Sequence, residues 1–367
     1  MKIIFCDNTL WGLVNFRGEV IRHFVQHKHE VVLIAPAKED EQMRAPIPEG
    51  VRFYPVSMGR TSFNILKDIK YCAQLLKIFM KEKPDYVFNY TIKPNIYGSI
   101  AARLAHVRST AMMAGLGYIF IHNSLATRLA RMLYRFGLHF TDHLLLLNSY
   151  NKELVLKNKM CAKDKIILLK GGEGVNIQQF AFMDNDADTI TFLFIGRVLW
   201  DKGYDEFAQA ARIVKQKYPD VKFEILGALD PSYPKSVSTE RVKDDEEAGI
   251  LKYIGFTSDM GEVYRRKGIV ITLPSYSEGM NRTLMEACAT GKPIITSIIP
   301  GCRESVDQGK NGFLVAPKDA QALATAMLDY LSLSKDEKVA FSKWSRKKAE
   351  AIFDIKDVIS VYDEILN

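Results

Sequence analysis

The chain is poor in cysteine: five in 367 residues, at positions 6, 72, 161, 288 and 302, with no Cys-x-x-Cys pair. That scatter excludes a zinc ribbon and a disulfide framework, and it fits a reducing compartment. Long apolar runs are missing too. The longest uncharged stretch of apolar character, Ala111 to Ile121, falls well short of the roughly 18–20 residues that a membrane-spanning helix needs. The opening run Ile3-Ile4-Phe5-Cys6 is ended at once by Asp7 and Asn8, too soon for a secretory leader. It reads as the first strand of a cytoplasmic protein. All seven histidines (23, 27, 29, 106, 122, 139 and 143) lie in the first half, and no His-Glu-x-x-His occurs. Neither a metal centre nor, without Gly-x-Gly-x-x-Gly, a dinucleotide cofactor is expected. Low-complexity tracts and short internal repeats are likewise lacking.

What is present is an ordinary globular composition, 47% hydrophobic and 25% charged, in a chain long enough for two domains. The net charge of +7 hides an asymmetry. Met1 to Phe180 carries 25 Lys+Arg against 14 Asp+Glu, the remainder 25 against 29. A basic first half points to an anionic partner, a membrane surface or a nucleic acid, though scattered solvating lysines give the same count.

Patterning predicts two successive series of strand and helix. In the first, strands are expected at Lys2–Cys6, Glu30–Ala35, Pro84–Phe88, Thr110–Ala114, His143–Asn148 and Lys165–Lys170. Helices are expected at Val20–Gln26, Phe63–Met80, Asn95–Ala105 and Ala126–Phe140. Ala181–Asp188 is polar and acidic and reads as a linker. Beyond it, strands at Thr191–Ile195, Lys222–Leu226, Ile269–Leu273 and Pro293–Thr296 alternate with helices at Asp205–Lys217, Met260–Arg266 and Arg282–Thr290. The class is α/β: two doubly wound, Rossmann-like domains, spanning 1–180 and 189–344, facing each other across a cleft. A last helix of about 345–367 is expected to pack back on the first domain. In such sheets ligands sit where strands end and helices begin.

The strongest local signal lies at such a place. The strand ending at Leu273 leads through Glu278-Gly279-Met280-Asn281 into a helix carrying Thr283 and Glu286. Amides at a helix start attract anions, Glu278 suits sugar hydroxyls and Glu286 a ribose. Taken singly, each glutamate is also what a helix start or a surface would carry. A second loop, Gly196-Arg197 to Lys202-Gly203, follows the first strand of the second series and offers two cations for a departing diphosphate. A third element, Lys170-Gly171-Gly172-Glu173-Gly174-Val175-Asn176, is a glycine-rich turn between domains. A fourth, Asn8 to Arg17, opens a helix after the first strand. There Gly12 admits a sugar or phosphate, and Asn15 and Arg17, with Lys93, suit an acceptor phosphate. The triplets in Asp184-Asn185-Asp186-Ala187-Asp188 lie in the linker and not at a strand end, so they are rejected as a metal–diphosphate site.

In this order the motifs resemble the retaining family 4 glycosyltransferases. The Glu-x7-Glu element (Glu278, Glu286), the Arg-x4-Lys pair (Arg197, Lys202), Gly174-Val175-Asn176 with Phe180, Gly301-Cys302-Arg303-Glu304 and Asn311-Gly312 carry the likeness. With Trp200 and Gly115-Leu116-Gly117 it narrows to bacterial polyprenyl-diphosphate-sugar N-acetylgalactosaminyl- and galactosyltransferases. The resemblance implies a GT-B fold and transfer of a hexose or N-acetylhexosamine from a UDP-sugar to a lipid-diphosphate-linked sugar. That reaction would run with retention, without metal or other cofactor, at the inner membrane face. It implies that Glu278 holds the donor sugar, Glu286 the ribose, Arg197 and Lys202 the diphosphate, and that Phe256 lies near the uracil. Amides of Gly279 to Asn281 add contacts to sugar and phosphate. Many members place a histidine where this chain has Ala114-Gly115. In that frame Lys67, Lys70, Lys77, Lys81, Arg128, Arg131 and Arg135 would face anionic lipid or the acceptor's diphosphate. A GT-B-like UDP-sugar epimerase and a transferase with a soluble acceptor are the competing readings. No helix-turn-helix, zinc finger or ribonucleoprotein motif supports a nucleic-acid partner.

Overall fold

The computed structural model describes residues 1–36, 47–59, 64–115, 124–231, 233–257, 259–276 and 279–367. They form two compact units, Met1–Glu173 with Lys356–Asn367, and Gly174–Ile355.

Strands of the first unit are short, and those inside the sheet are almost wholly buried, as both faces of a parallel sheet require. They are Lys2–Cys6 (β1), Glu30–Ala35 (β2), Arg52–Pro55 (β3), Tyr86–Tyr90 (β4), Arg108–Met113 (β5), His143–Leu146 (β6) and Ile166–Leu168 (β7). They pair in the order β3-β2-β1-β4-β5-β6-β7, every pair parallel. Helices Leu10–Gln26 (α1), Ile65–Glu82 (α2), Ser99–Leu104 (α3), Leu125–His139 (α4) and Ser149–Lys157 (α5) connect them. Each main helix start has a polar cap. The side chains of Thr9, Asn64 and Asn148 accept from Gly12, Lys67 and Asn151 amides, and Ser124 forms a reciprocal box with Thr127. The Thr9 cap starts α1 ten residues earlier than the expected Val20.

The second unit repeats the scheme. Its strands are Thr191–Ile195 (β8), Lys222–Leu226 (β9), Lys252–Tyr253 (β10), Ile269–Leu273 (β11), Ile294–Ser297 (β12) and Gly312–Val315 (β13). Their order is β10-β9-β8-β11-β12-β13. Helices are Tyr204–Lys217 (α6), Thr239–Glu247 (α7), Met260–Arg265 (α8), Arg282–Ala289 (α9), Ala320–Ser332 (α10) and Lys335–Lys348 (α11). Both sheets therefore reverse direction of growth beside their first strand, at β1/β4 and at β8/β11, and it is there that an open α/β sheet holds a ligand.

Three expectations differ in detail. The segment from Asn95 begins as a π-helical turn, Pro94–Gly98, before α3. Asn95 causes it to be held there, its amide donating to Met112 O and to Tyr134 Oη at 2.8 and 2.7 Å. The acidic stretch Ala181–Asp188 lies within the second unit, where Asn185 accepts from the Ile269 amide and donates to Ile269 O, pinning the start of β11. The units divide at Glu173/Gly174, where Gly172 and Gly174 both adopt positive φ. The returning chain runs beside the outgoing one: Val175 donates to Phe353 O and accepts from the Ile355 amide.

The last helix, Ile355–Leu366 (α12), supplies Tyr362 to the first unit's core. Its ring lies 4.8 Å from Phe88, and its hydroxyl meets that of Tyr90 at 2.9 Å. Tyr362 is 1% exposed. Tyr362→Ala is expected to cost the first unit about 3–5 kcal/mol, measured as a shift of its denaturant midpoint; unchanged unfolding would show that α12 adds nothing to that core.

Candidate functional site

In the second unit, the loops leaving β8 and β11 are joined to each other. The β8 loop runs from Gly196 through Arg197 and Asp201 to Gly203, which opens α6 at φ +83°. A Cβ on Gly203 would stand 2.3 Å from Pro274 O, so only glycine permits this approach. Asp201 O accepts from the Tyr276 amide at 3.0 Å and from Ser275 Oγ at 3.4 Å. The Tyr276 hydroxyl donates to Glu206 on α6. Gly227, after β9, closes the floor: a Cβ there would lie 1.7 Å from Gly196 O. Arg197 is exposed and stacks over Tyr233, its guanidinium carbon 4.8 Å from the ring centre. Lys202 is half-buried on the same loop.

The β11 loop leads into α9. Glu278 and Ser277 lie outside the described residues, as do Leu116 and Gly117. Gly279, Met280, Asn281 and Thr283 are half-buried, Met280 against the hydrophobic core. Asn281 caps α9 by accepting from the Leu284 amide at 3.1 Å, while its own amide donates to Gly301 O at 2.9 Å. The expectation that the Asn281 amide faces sugar or phosphate is thus corrected, because that donor is already bonded within the fold. The Gly301–Glu304 turn explains its part of the motif. Glu304 accepts from the Gly301 amide at 2.7 Å and so steadies the carbonyl that anchors Asn281. Asn311 is fully buried and braces Ser305 O and the Asp307 amide; it is a structural residue.

Glu286 is buried on α9 at 6% exposure. Its carboxylate meets Arg282 Nε at 2.8 Å and lies 3.4 Å from Tyr264 Oη. Burial raises the carboxyl above its ordinary range, and Arg282 opposes that shift. Phe256, just past β10, is 68% exposed. It follows Gly255, whose φ is +82° and whose carbonyl accepts from the Gly227 amide at 2.8 Å. An exposed ring tied to the β9 and β10 ends presents a stacking surface.

In the first unit the structure gathers Asn8, Met58, Thr91, Ile92, Lys93, Met113, Ala114, Gly115 and Tyr134 around a cavity of about 240 Å³ at the ends of β1, β4 and β5. Thr91 stands at φ +68°, a strained position for a β-branched residue and the kind found at binding sites. Two expected acceptor contacts prove to be buried ion pairs. Arg17, 4% exposed, lies 2.5 Å from Glu173 and 3.9 Å from Asp7, its guanidinium 4.5 Å above the Tyr90 ring. Burial opposes its charge, and the two carboxylates more than offset it, raising its pKa. Lys93, 7% exposed, pairs with Asp68 at 2.5 Å. Both hold the first unit together, since desolvated cations of this kind need partners. Asn15 is exposed and bonds Trp11 O. Gly12 is buried, and a Cβ there would press on Thr9 Oγ1 at 2.7 Å. Asp184 and Asp186 pair with Lys267 and Lys335 beside the opposite strand ends from the β11 loop.

The family model described as Glycosyl transferase 4-like matches residues 2–148, and Glycosyl transferases group 1 matches residues 177–348. The chain is a glycosyltransferase. It is similar, at 26% identity over 100% of this chain and 99% of the relative, to the N,N'-diacetylbacillosaminyl-diphospho-undecaprenol alpha-1,3-N-acetylgalactosaminyltransferase of Campylobacter jejuni. It is 27% identical over 79% of this chain and 78% of the relative to UDP-Gal:alpha-D-GlcNAc-diphosphoundecaprenol alpha-1,3-galactosyltransferase of Escherichia coli. Among solved structures, Anabaena HepE in complex with UDP-glucose superposes with a TM-score of 0.78 at 17% identity, covering 100% of this chain and 99% of that one. The glycosyltransferase thus has the GT-B fold of two doubly wound parallel sheets.

Residues to which the sequence reading gave no role are Asp201, Pro274 and Tyr276, which join the two loops of this glycosyltransferase, with Gly227 under Gly196, Tyr233 under Arg197 and Arg282 on Glu286. Only the Gly203 spacing gave any sign of them. The Arg282–Glu286 pair is open to a direct test. A carboxyl held above its unfolded pKa favours the fold while protonated, and that contribution is lost as pH rises through the folded value. Arg282→Met removes the opposing cation and raises the carboxyl further. The variant is expected to be close to wild type at about pH 4 and about 3 kcal/mol less stable at about pH 7. A deficit that does not grow with pH, in urea titrations across that range, would exclude the pair as drawn.

Proposed function

We propose that this glycosyltransferase moves a hexose or N-acetylhexosamine from a UDP-sugar to a lipid-diphosphate-linked sugar, retaining anomeric configuration and needing no metal ion, in cell-surface glycan or glycoprotein assembly. The observation that carries the reading is the fused pair of loops at the β8/β11 switch point. One of these loops carries Arg197 and Lys202, and the other leads into α9. As the glycosidic C–O bond breaks, negative charge collects on the diphosphate and positive charge on the anomeric carbon. Cations carried on a backbone held in place stabilise the leaving group as its charge develops. Arg197, parked on Tyr233, reaches a diphosphate by leaving that ring.

The identity of the donor rests on names and shape. One relative's name carries UDP-Gal as donor, and the HepE structure holds UDP-glucose. Phe256 offers an exposed ring for the uracil and buried Glu286 a carboxylate for the ribose, reached by exchange of its Arg282 contact. The acceptor assignment rests on the two relatives named for undecaprenyl-diphosphate sugars. In the first unit the cavity lined by Asn8, Thr91, Lys93 and Tyr134 is the pocket for its sugar. Retention follows the family that the motifs resemble, and with no carboxylate assigned as nucleophile the acceptor hydroxyl attacks from the face the diphosphate leaves.

Donor screening by calorimetry, followed by transfer to polyprenyl-diphosphate sugars, tests the reading; binding of a nucleotide sugar with no transfer to any lipid-linked acceptor would refute it. Arg197→Ala and Lys202→Ala are each expected to lower turnover at least about 100-fold with folding intact, as loss of one charge-stabilising donor does; near wild-type rates in either would remove it from the leaving-group role. Turnover is also expected to survive EDTA. Activity abolished by chelation and restored by magnesium would overturn the metal-free mechanism.

A further inference from the structure

A buried amide in the first unit carries an orphan oxygen. Asn95, in the π-helical turn Pro94–Gly98, is fully buried, and its Oδ1 has no hydrogen-bond partner. An unpaired carbonyl in the interior costs free energy, and native structures seldom keep one without a use. Turning the amide over would not relieve it. Its Nδ2 donates to Met112 O at 2.8 Å, and a main-chain carbonyl only accepts, so the nitrogen has to lie on that side. The second hydrogen of the same nitrogen goes to Tyr134 Oη at 2.7 Å. Strand β5, through Met112, therefore dictates how Asn95 meets Tyr134.

A glycine brings helix α4 to that nitrogen. Gly137 stands one turn after Tyr134, and a Cβ there would lie 2.6 Å from Ile96 Cα. Without one, the helix rests on the backbone of the π-helical turn. Tyr134 is left 1% exposed, on the wall of the cavity of about 240 Å³. The turn begins where the Asn95 main-chain amide donates to Thr91 O at 3.0 Å, and Thr91, at φ +68°, lines the same cavity. Turns of this kind are rare and gather at functional sites.

The direction of one proton follows. Tyr134 Oη already accepts from Asn95, and among the described residues nothing accepts its hydrogen. Burial pushes the phenol up, so it stays protonated and remains a donor. We propose that Tyr134 is a binding residue of the first-unit cavity, its O–H donating to an oxygen of the acceptor sugar, and that Asn95 is the positioning residue that aims it. The inference rests on the functional reading above, which puts the acceptor's sugar in this cavity. A donor oriented beforehand loses little freedom when the sugar arrives. The contact is made before the reaction as well as during it, so its loss falls on KM more than on kcat.

Steady-state transfer from a UDP-sugar to a short-chain polyprenyl-diphosphate sugar, with the acceptor varied, tests it in the whole chain. Tyr134→Phe keeps the ring and removes the donor. The acceptor KM should rise about five-fold and kcat should change less than about two-fold. Asn95→Asp keeps the shape but sets an oxygen against Tyr134, drawing the hydroxyl hydrogen inward, and the acceptor KM should rise by the same factor. Added to Tyr134→Phe, Asn95→Asp should raise KM no further, a result that a merely structural role would not give. Asn95→Ala, which leaves the hydroxyl unaimed, takes its place if the aspartate variant does not fold. Affinity for UDP alone, by calorimetry, should match wild type throughout; a shift there would assign the effects to the fold and overturn the positioning role. An unmoved acceptor KM in Tyr134→Phe, or effects of the two substitutions that add, overturns the inference while wild-type transfer upholds the functional reading. Absence of wild-type transfer to any lipid-diphosphate sugar sinks that reading and takes this inference with it.

Discussion

The close approach of Gly203 to Pro274 is the constraint that joins the two loops at the second sheet's switch point. Two loops from neighbouring strands would ordinarily move independently, because loops lack the ladder of hydrogen bonds that fixes strands. Here a missing Cβ lets one backbone rest on the other, and Asp201 O gathers the donors of Ser275 and Tyr276. The loop that opens α6 is thereby tied to the loop that leaves β11. In the proposed function, preorganisation of this sort, more than the charge itself, separates a leaving-group site from a basic patch.

The strand plan was legible because parallel strands buried on both faces leave uninterrupted apolar runs. Lys2–Cys6, Glu30–Ala35, Thr191–Ile195, Lys222–Leu226 and Ile269–Leu273 stand where the pattern put them. Of the edge strands, Ile166–Leu168 falls within the expected Lys165–Lys170, whereas Arg52–Pro55, Lys252–Tyr253 and Gly312–Val315 were not legible. Arg52–Pro55 and Lys252–Tyr253 are short and half-exposed, so their residues carry no apolar signature. Helices ending in polar sequence, such as Thr239–Glu247, escaped for the same reason. At the candidate site, residue types were legible and environments were not. Arg17 and Lys93 look like ligand-facing cations in sequence, yet each is sealed against a carboxylate distant in the chain, Glu173 or Asp68. Periodicity cannot show which carboxylate will arrive.

Those inward pairs shape what remains outside. A basic domain is usually described by its total charge, but total charge says little about a face. By drawing Asp68 and Glu82 inward, the first unit pairs Asp68 with the buried Lys93 and Glu82 with Lys2 and Arg52, and takes the only acids of helix α2 off its outer face. One arrangement therefore serves stability within and polarity without.

The chain's order imposes a sequence of events on its making. Val358, Tyr362 and Ile365, all from the closing helix, are buried in the unit that is synthesised first. That unit leaves the ribosome with a gap in its core, whereas Gly174–Ile355 is already whole before the missing helix emerges. The domain begun first is thus the one completed last, and in the interval the uncovered rings of Phe88 and Tyr90 are exposed to chaperones or to aggregation.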